Sequence, residues 1–398
     1  MLSEAVIAGL LAQGNRVDDC GMITTPGLQF LVKETQAAGA IMVTASHNPP
    51  DYNGFKVVDS DGIEIPRKRE ERIEELVQRN SWRISPRPGD RSQRGEPLEP
   101  YFSKIMLHLK QSQALGKLRI VADTGNGVAS LTTPVLLRRL GCHVVTLNDN
   151  IDGAFPGRES EPRPENLGAL AALVKSEKAD FGVAHDGDGD RAMFVDETGV
   201  IHLGDRSLAL IEDEVLKKIH GAKVVTPVNS SMAVSEIARR RGGKLILTKV
   251  GSIHVARTMI AEKAILGGEE NGGIFYAPHH PVRDGTMATI LILNAILENR
   301  MPLSKLMARL PKFYMAKEKI ACKDNAKNGA IAKLKKMLGT KVSSTLDGVR
   351  VDLNGRGWFL VRASGTEPLI RMYAEGKTES DLRSILDEFK PIVAQSMK

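Results

Sequence analysis

Aromatic residues are scarce: Phe, Trp and Tyr make up 4% of 398 residues. That is too few for the stacking platform on which single-stranded nucleic acid is bound. The net charge of +7 and pI near 9.2 would suit a polyanion. The basic residues, however, are spread along the chain, and Lys333, Lys335 and Lys336 read as the wet face of a helix. No nucleic acid is expected as a partner; a positive field that draws small anions explains the sign as well. Cysteine is almost missing. Cys20, Cys142 and Cys322 are far apart and odd in number, which argues against a disulfide framework or a zinc site and fits a reducing, cytoplasmic location. No apolar run approaches the roughly 20 residues of a membrane span. The apolar stretch 5–12 follows Glu4 without a basic lead, unlike a signal peptide. No Walker A sequence is present, so ATP is not the expected phosphate donor. Gly125-Asn126-Gly127-Val128-Ala129-Ser130 approximates a dinucleotide fingerprint. Its third glycine is Ser130 and no acidic ribose reader follows at the right offset, so it reads as a tight strand–helix turn.

What is present supports a large folded chain. Hydrophobic residues make up 42% and charged residues 26%, a balance that excludes disorder. At about 100–200 residues per domain the length allows two to four domains. A strand, a polar turn and a helical pattern recur at 40–43, 118–122 and 222–226, with second strands at 143–145 and 244–247. Such alternation predicts mixed sheets covered on both faces. The end of the chain differs. A helix near 330–338, a hairpin turning at Asn354-Gly355, a strand over 369–374 and a final helix predict an α+β domain. The Pro, Gly and Ser punctuation at 80–100, 197–206 and 299–311 sets expected domains at 1–97, 98–203, 204–312 and 313–398.

Four motifs carry chemistry. The first is Thr44-Ala45-Ser46-His47-Asn48-Pro49-Pro50, with Asn53-Gly54-Phe55-Lys56 behind it. A strand end delivers Ser46 into a turn stiffened by tandem proline, the place where α/β sheets present ligands. Helix capping would explain Ser46 alone, but not Lys56 and the rigid frame together. The second is Asp186-Gly187-Asp188-Gly189-Asp190-Arg191. Three carboxylates at alternate positions would repel one another without a cation, and Mg²⁺ takes such oxygens. An EF-hand is the rival; its obligatory glycine is replaced by Arg191, and the flanks read as strands. The third, Arg362-Ala363-Ser364-Gly365-Thr366-Glu367-Pro368 with Arg371, offers arginines, hydroxyls and a glycine to a phosphate; a solvated turn is the alternative. In the fourth, Gly267-Gly268-Glu269-Glu270-Asn271-Gly272-Gly273, Glu269 and Asn271 could bond sugar hydroxyls; a tight connecting turn is the alternative.

Together these motifs resemble the α-D-phosphohexomutase family of phosphoglucomutases, phosphomannomutases and phosphoglucosamine mutases, over the whole chain. The resemblance implies three related α/β mixed-sheet domains plus a C-terminal α+β domain around a central cleft, one motif from each. It implies an isomerase that interconverts hexose 6-phosphate and hexose 1-phosphate through a hexose 1,6-bisphosphate. Ser46 would carry the phosphoryl group. Mg²⁺ would sit on Asp186, Asp188 and Asp190, with Ser46 completing the set through its phosphate. His47, Lys56 and Arg191 would serve the reacting oxygens, and Glu269 and Asn271 would read the sugar. Arg362, Ser364, Gly365, Thr366 and Arg371 would hold the phosphate that is not reacting. Small sugar phosphates are the implied partners, with no membrane. Two departures from the family pattern matter. The strand and arginine-bearing stretch that usually precede the first helix are not seen before Met1, as in a truncated form. Gly273 and Ser252 stand where many bacterial relatives have histidine, so the chain resembles archaeal members. Glucosamine phosphate is the expected sugar; mannose or glucose phosphate, and an inactive truncated form, are the alternatives.

Overall fold

The computed structural model describes every residue except Arg83, residues 111–114, Thr366 and Lys398. The chain forms two compact units, Met1–Ser207 with Asn271–Met307, and Leu208–Glu270 with Ala308–Lys398.

The first unit contains strands β1 (Val17–Asp19), β2 (Gly39–Val43), β3 (Phe55–Asp59), β4 (Arg91–Gln93), β5 (Arg119–Asp123), β6 (His143–Leu147), β7 (Phe181–His185), β8 (Ala192–Asp196) and β9 (Ile201–His202). The last five make one sheet in the order β6-β5-β7-β8-β9, parallel across its first three strands and antiparallel beyond. Its central strands are unbroken apolar runs because both faces are covered. Ile120, Val121, Phe181, Val183 and Phe194 are buried, and Leu170 and Val174 of the helix Gly168–Ser176 pack on one face.

The N-terminal part of this unit is thinner. Among the described residues, strand β1 pairs only with β4, in parallel, and β2 only with β3, antiparallel. Helix α1 (Leu2–Ala12) buries Ile7 alone. Helix α2 (Thr25–Glu34) is capped by the Thr24 side chain, carries Pro26 in its first turn, and buries Leu28, Phe30 and Leu31. Helix α3 (Arg67–Gln78) buries nothing; ion pairs such as Arg67–Glu71 and Arg72–Glu75 lie along its surface. Two expectations are corrected here. Residues 40–43 do not lead into a helix: Pro49-Pro50 and Asn53-Gly54 turn the chain back as the β2–β3 hairpin. The polar segment 80–100 is more than a separator, since it supplies β4; Arg91-Ser92-Gln93 is exposed and polar and so carries no apolar signature.

In the second unit, strands Lys223–Pro227, Lys244–Thr248 and Leu266–Gly268 are parallel, with Lys223–Pro227 between the other two. The C-terminal sheet is antiparallel in the order Tyr314–Ala321, Leu369–Gly376, Gly357–Ala363, Val349–Asp352. Helices Asp324–Leu338 and Glu379–Ser396 cover one face through Leu334, Ile385 and Phe389. This is the α+β pattern read from the sequence.

Candidate active site

Strand β2 ends at Val43 and the chain turns sharply. The Ser46 N–H donates to Thr44 Oγ1 at 2.9 Å, and Ser46 takes a left-handed backbone with φ 56°. Non-glycine residues seldom do so, and strain of this kind concentrates at functional sites. Pairing of Met42 with Lys56 brings Lys56 beside the turn.

The loop 186–191 joins β7 to β8, whose pairing closes at His185 and Ala192. Its glycines answer a steric need: a Cβ on Gly187 would lie 2.6 Å from the Ser46 carbonyl oxygen. The two loops therefore touch through their backbones. Asp186, Asp188 and Asp190 each present an oxygen within 4.8 Å of the others. Asp188 Oδ2 accepts from Thr25 Oγ1 and from Lys56 Nζ, both at 2.6 Å, and its Oδ1 accepts from Ser46 Oγ at 3.4 Å. Asp190 Oδ2 accepts from Lys56 at 3.1 Å and from Arg283 Nη2 at 2.6 Å. Asp186 Oδ2 and Asp190 Oδ1 are buried without a hydrogen-bond partner. Orphaned carboxylate oxygens are costly, and three converging acids with two such oxygens fit a hard divalent cation.

The charges confirm how crowded the site is. Burial, then Asp190 and Asp188, push the Asp186 carboxyl well above the usual range. Burial pushes Asp190 the same way, but Arg283 and Lys56 outweigh it and hold Asp190 below that range. Burial works against the Lys56 ammonium, yet Asp188 and Asp190 raise its pKa above normal. Burial and then Arg191 lower His47 to about 4. His47 Nδ1 lies 3.3 Å from Ser46 Oγ and 3.0 Å from Arg191 Nη2. A guanidinium only donates, so Nδ1 accepts and the ring proton is on Nε2.

Beneath the loops, buried Arg158 ties the ends of β5 and β7, donating to Asp123 Oδ2 at 2.7 Å and to the His185 carbonyl at 2.6 Å. Ser160 Oγ donates to the Ser46 carbonyl at 3.3 Å. A cleft of about 1420 Å³ runs past α1, β1 and β2 and reaches Gly187 and Asp188.

In the second unit, Arg362 and Arg371 are direct cross-strand partners. Like charges in that position repel, and each is held by a carboxylate: Arg362 Nε donates to Asp347 at 2.9 Å, and Arg371 pairs with Glu367. Between them, Ser364 Oγ accepts from the Glu367 N–H at 3.1 Å. Gly365 is exposed, and Thr366 lies outside the described residues. Buried Lys327 donates to the carbonyls of Ser364 at 2.7 Å and Glu367 at 3.0 Å, closing the loop from below. Glu269, at the end of the strand Leu266–Gly268, is buried in this unit. Asn271 belongs to the first unit, where its Oδ1 accepts from the Gly273 N–H at 3.2 Å and the adjacent Gly272 carbonyl accepts from the Ala192 N–H at 3.1 Å.

Models of the four domains of one enzyme family match this chain in order. Domain I of the phosphoglucomutase/phosphomannomutase family matches residues 1–83, domain II residues 99–199, domain III residues 203–314 and the C-terminal domain residues 318–392. The chain belongs to that family. It is 39% identical over 407 residues to the phosphoglucomutase/phosphomannomutase of Thermococcus kodakarensis, covering 100% of this chain and 88% of that protein. It is 40% identical over 404 residues to the phosphoglucosamine/phosphogalactosamine mutase of Sulfurisphaera tokodaii, covering 99% and 88%. A crystal structure of a family protein from Burkholderia thailandensis superposes with a TM-score of 0.89 at 30% identity, covering 99% of this chain and 86% of that one.

As a phosphohexomutase the chain is an isomerase of the intramolecular phosphotransferase kind. Ser46, His47, Lys56, Asp186, Asp188, Asp190 and Arg191 come together in the first unit, joined by three residues that the sequence did not single out: Thr25, Arg283 and Glu161. Thr25 hid behind the Thr24 cap, and Arg283 is one basic residue among 55.

Proposed function

We propose that this phosphohexomutase interconverts hexose 6-phosphate and hexose 1-phosphate through a phosphoserine at Ser46 and a hexose 1,6-bisphosphate, with glucosamine phosphate as the preferred sugar. One observation carries the reading: Ser46 Oγ stands 3.4 Å from Asp188, on the rim of a buried acidic triad, with Lys56 on the same carboxylate. A phosphate monoester hydrolyses extremely slowly without help, so transfer needs in-line placement and donors arranged around the phosphoryl oxygens. Mg²⁺ on Asp186, Asp188 and Asp190, with the Ser46 phosphate, would supply neutralising charge there.

The chain's own groups do the rest. Phosphorylated Ser46 gives its phosphoryl group to a sugar hydroxyl: the Oγ–P bond breaks, a sugar O–P bond forms, and the hydroxyl proton leaves with a neighbouring base. His47, whose Nδ1 lies 3.3 Å from Ser46 Oγ, is the side chain placed for that proton, and the Lys56 ammonium, held charged by Asp188 and Asp190, donates toward the reacting oxygens. Arg191 donates toward the same oxygens. The bisphosphate then turns over, and its other phosphate returns to Ser46. Arg362, Ser364, Gly365, Thr366 and Arg371 hold the idle phosphate; two arginines facing each other across strands are suited to an anion. Glu269 and Asn271 read the sugar hydroxyls. A reducing cytoplasm suits the three free thiols, and no described helix is long and apolar enough to cross a membrane.

Mannose or glucose phosphate is the second reading, favoured by the name of the Thermococcus relative. The test is ³¹P NMR of the purified chain with Mg²⁺, a trace of sugar bisphosphate, and glucosamine, mannose or glucose 6-phosphate in separate tubes. A 1-phosphate signal without free phosphate supports the mutase, and the fastest tube names the sugar. Free phosphate alone would replace the reading with a phosphatase.

A further inference from the structure

The segment 158–163 entered no motif, yet it forms a wall of the Ser46 turn. Ser160 Oγ reaches the Ser46 carbonyl. Glu161 goes further. Its Oε1 accepts from Arg191 Nη1 at 2.8 Å and lies 3.9 Å from His47 Nε2, while Oε2 accepts from Arg163 Nε at 2.6 Å. Arg191 is nearly buried, with Nη2 on His47 Nδ1 and Nε 3.5 Å from Asp186 and 3.8 Å from Asp190. Its guanidinium thus stands between two sets of anions: the triad on one side and Glu161 on the other.

We infer that Glu161 is a positioning residue, which holds the Arg191 guanidinium and the His47 ring in register with Ser46 Oγ. The inference rests on the phosphoserine reading for its effect on turnover, but not for its effect on the ring. The physical argument is a balance of attractions. In the metal-free, unphosphorylated chain, without the Glu161 charge the triad carboxylates are what remains to attract Arg191 among the described residues, and the guanidinium turns inward and leaves His47 Nδ1. The ring then loses the donor that fixes its tautomer and the carboxylate facing its Nε2–H. A misplacement of about 1 Å near reacting atoms costs on the order of 10²-fold in rate. A carboxylate held by Arg163 on its outer oxygen is a fixed anchor rather than a waving surface charge, as a bidentate or doubly bonded acid is.

Glu161→Gln keeps the size and removes the charge; Glu161→Asp keeps the charge and shortens the arm. Three readouts separate the possibilities. In ¹⁵N-labelled protein, His47 should show the Nε2–H tautomer, and Glu161→Gln should mix the tautomers or shift Nδ1. The rate of Ser46 phosphorylation by glucose 1,6-bisphosphate, followed by intact mass, should fall on the order of 10- to 100-fold in Glu161→Gln. The steady-state kcat should fall in step, with KM within about twofold, and Glu161→Asp should recover part of both. Unchanged His47 resonances together with an unchanged phosphorylation rate in Glu161→Gln would overturn the inference, as would a loss that merely follows a fall in unfolding temperature. If the unaltered chain takes no phosphate on Ser46, the phosphoserine reading and the rate effect fall with it, whereas the His47 signature still decides whether Glu161 sets the ring.

Discussion

The two loops that meet at Ser46 stand on scaffolds of different strength. The aspartate loop closes β7 and β8, strands buried along their whole length inside a five-stranded sheet. The serine loop closes β2 and β3, a two-stranded hairpin in which each strand buries one residue. Three carboxylates must be held in mutual repulsion, which asks for a stiff base. On the proposed phosphoserine reading, the serine side would accept a bulky dianion and release it, and a thin scaffold suits that task. What ties the thin side down is local: Gly187 against the Ser46 carbonyl, Ser160 on the same carbonyl, His280 on the Gly62 carbonyl, and His279 stacked on Phe30.

The largest effect should come from the serine itself. Ser46→Ala should lower mutase turnover by at least about 10⁴-fold, as loss of a covalent nucleophile does, while leaving the unfolding midpoint nearly unchanged; retained turnover would break the assignment. Next, equal truncations should have unequal costs. Phe181→Ala in β7 should destabilise by about 3–5 kcal/mol, whereas Phe55→Ala in β3, half exposed, should stay within about 0.5 kcal/mol; urea denaturation of both variants compares them directly. A similar loss in each would erase the contrast. Smaller again is the ion's contribution. Mg²⁺ at about 100 times its Kd should stabilise the chain by about 2.7 kcal/mol, seen as a rise in unfolding temperature, and Asp188→Asn should abolish most of that rise. Smallest is a pH effect on the tie between hairpin and sheet. Burial lowers His280 to about 4, and its Nε2 meets the Gly62 carbonyl. The unfolded histidine takes a proton near pH 6.5 and the folded one does not until about 4. Stability should therefore be unaffected by this group above pH 7 and fall by at most about 1.4 kcal/mol per unit, about 2 kcal/mol in all, as pH drops from 6.5 to 5. His280→Gln should remove this group's share of the slope in urea titrations at pH 7, 6 and 5, to which His47, His108 and His185, also lowered to about 4, contribute as well.

Much of the chemistry was legible because it is local in sequence. A glycine-spaced acid run and a serine before tandem proline advertise themselves, and the strands flanking Asp186–Arg191 are apolar on both sides. The polar pieces were not legible. Strands β1 and β4 consist of Val-Asp-Asp and Arg-Ser-Gln, joined by the backbone ladder and by polar side-chain links such as Arg91 to Asp19, none of which leaves an apolar pattern in the sequence. Glu161 and Arg283 act across 30 and 93 residues of sequence, and no spacing rule connects a charge to a partner so far away. Lys327 illustrates the opposite failure. It shares a helix with the solvated Lys333 and Lys336, yet it is buried under the Ser364–Glu367 turn, because one face of that helix closes on the sheet.

The left-handed backbone of Ser46 has a consequence for which amino acid can stand there. Threonine offers the same hydroxyl and would accept a phosphoryl group equally well by its chemistry. Its branched Cβ, however, is a true outlier at φ 56°. If Ser46 carries the phosphoryl group as proposed, the choice of serine over threonine is made by the shape of the main chain before any reaction begins.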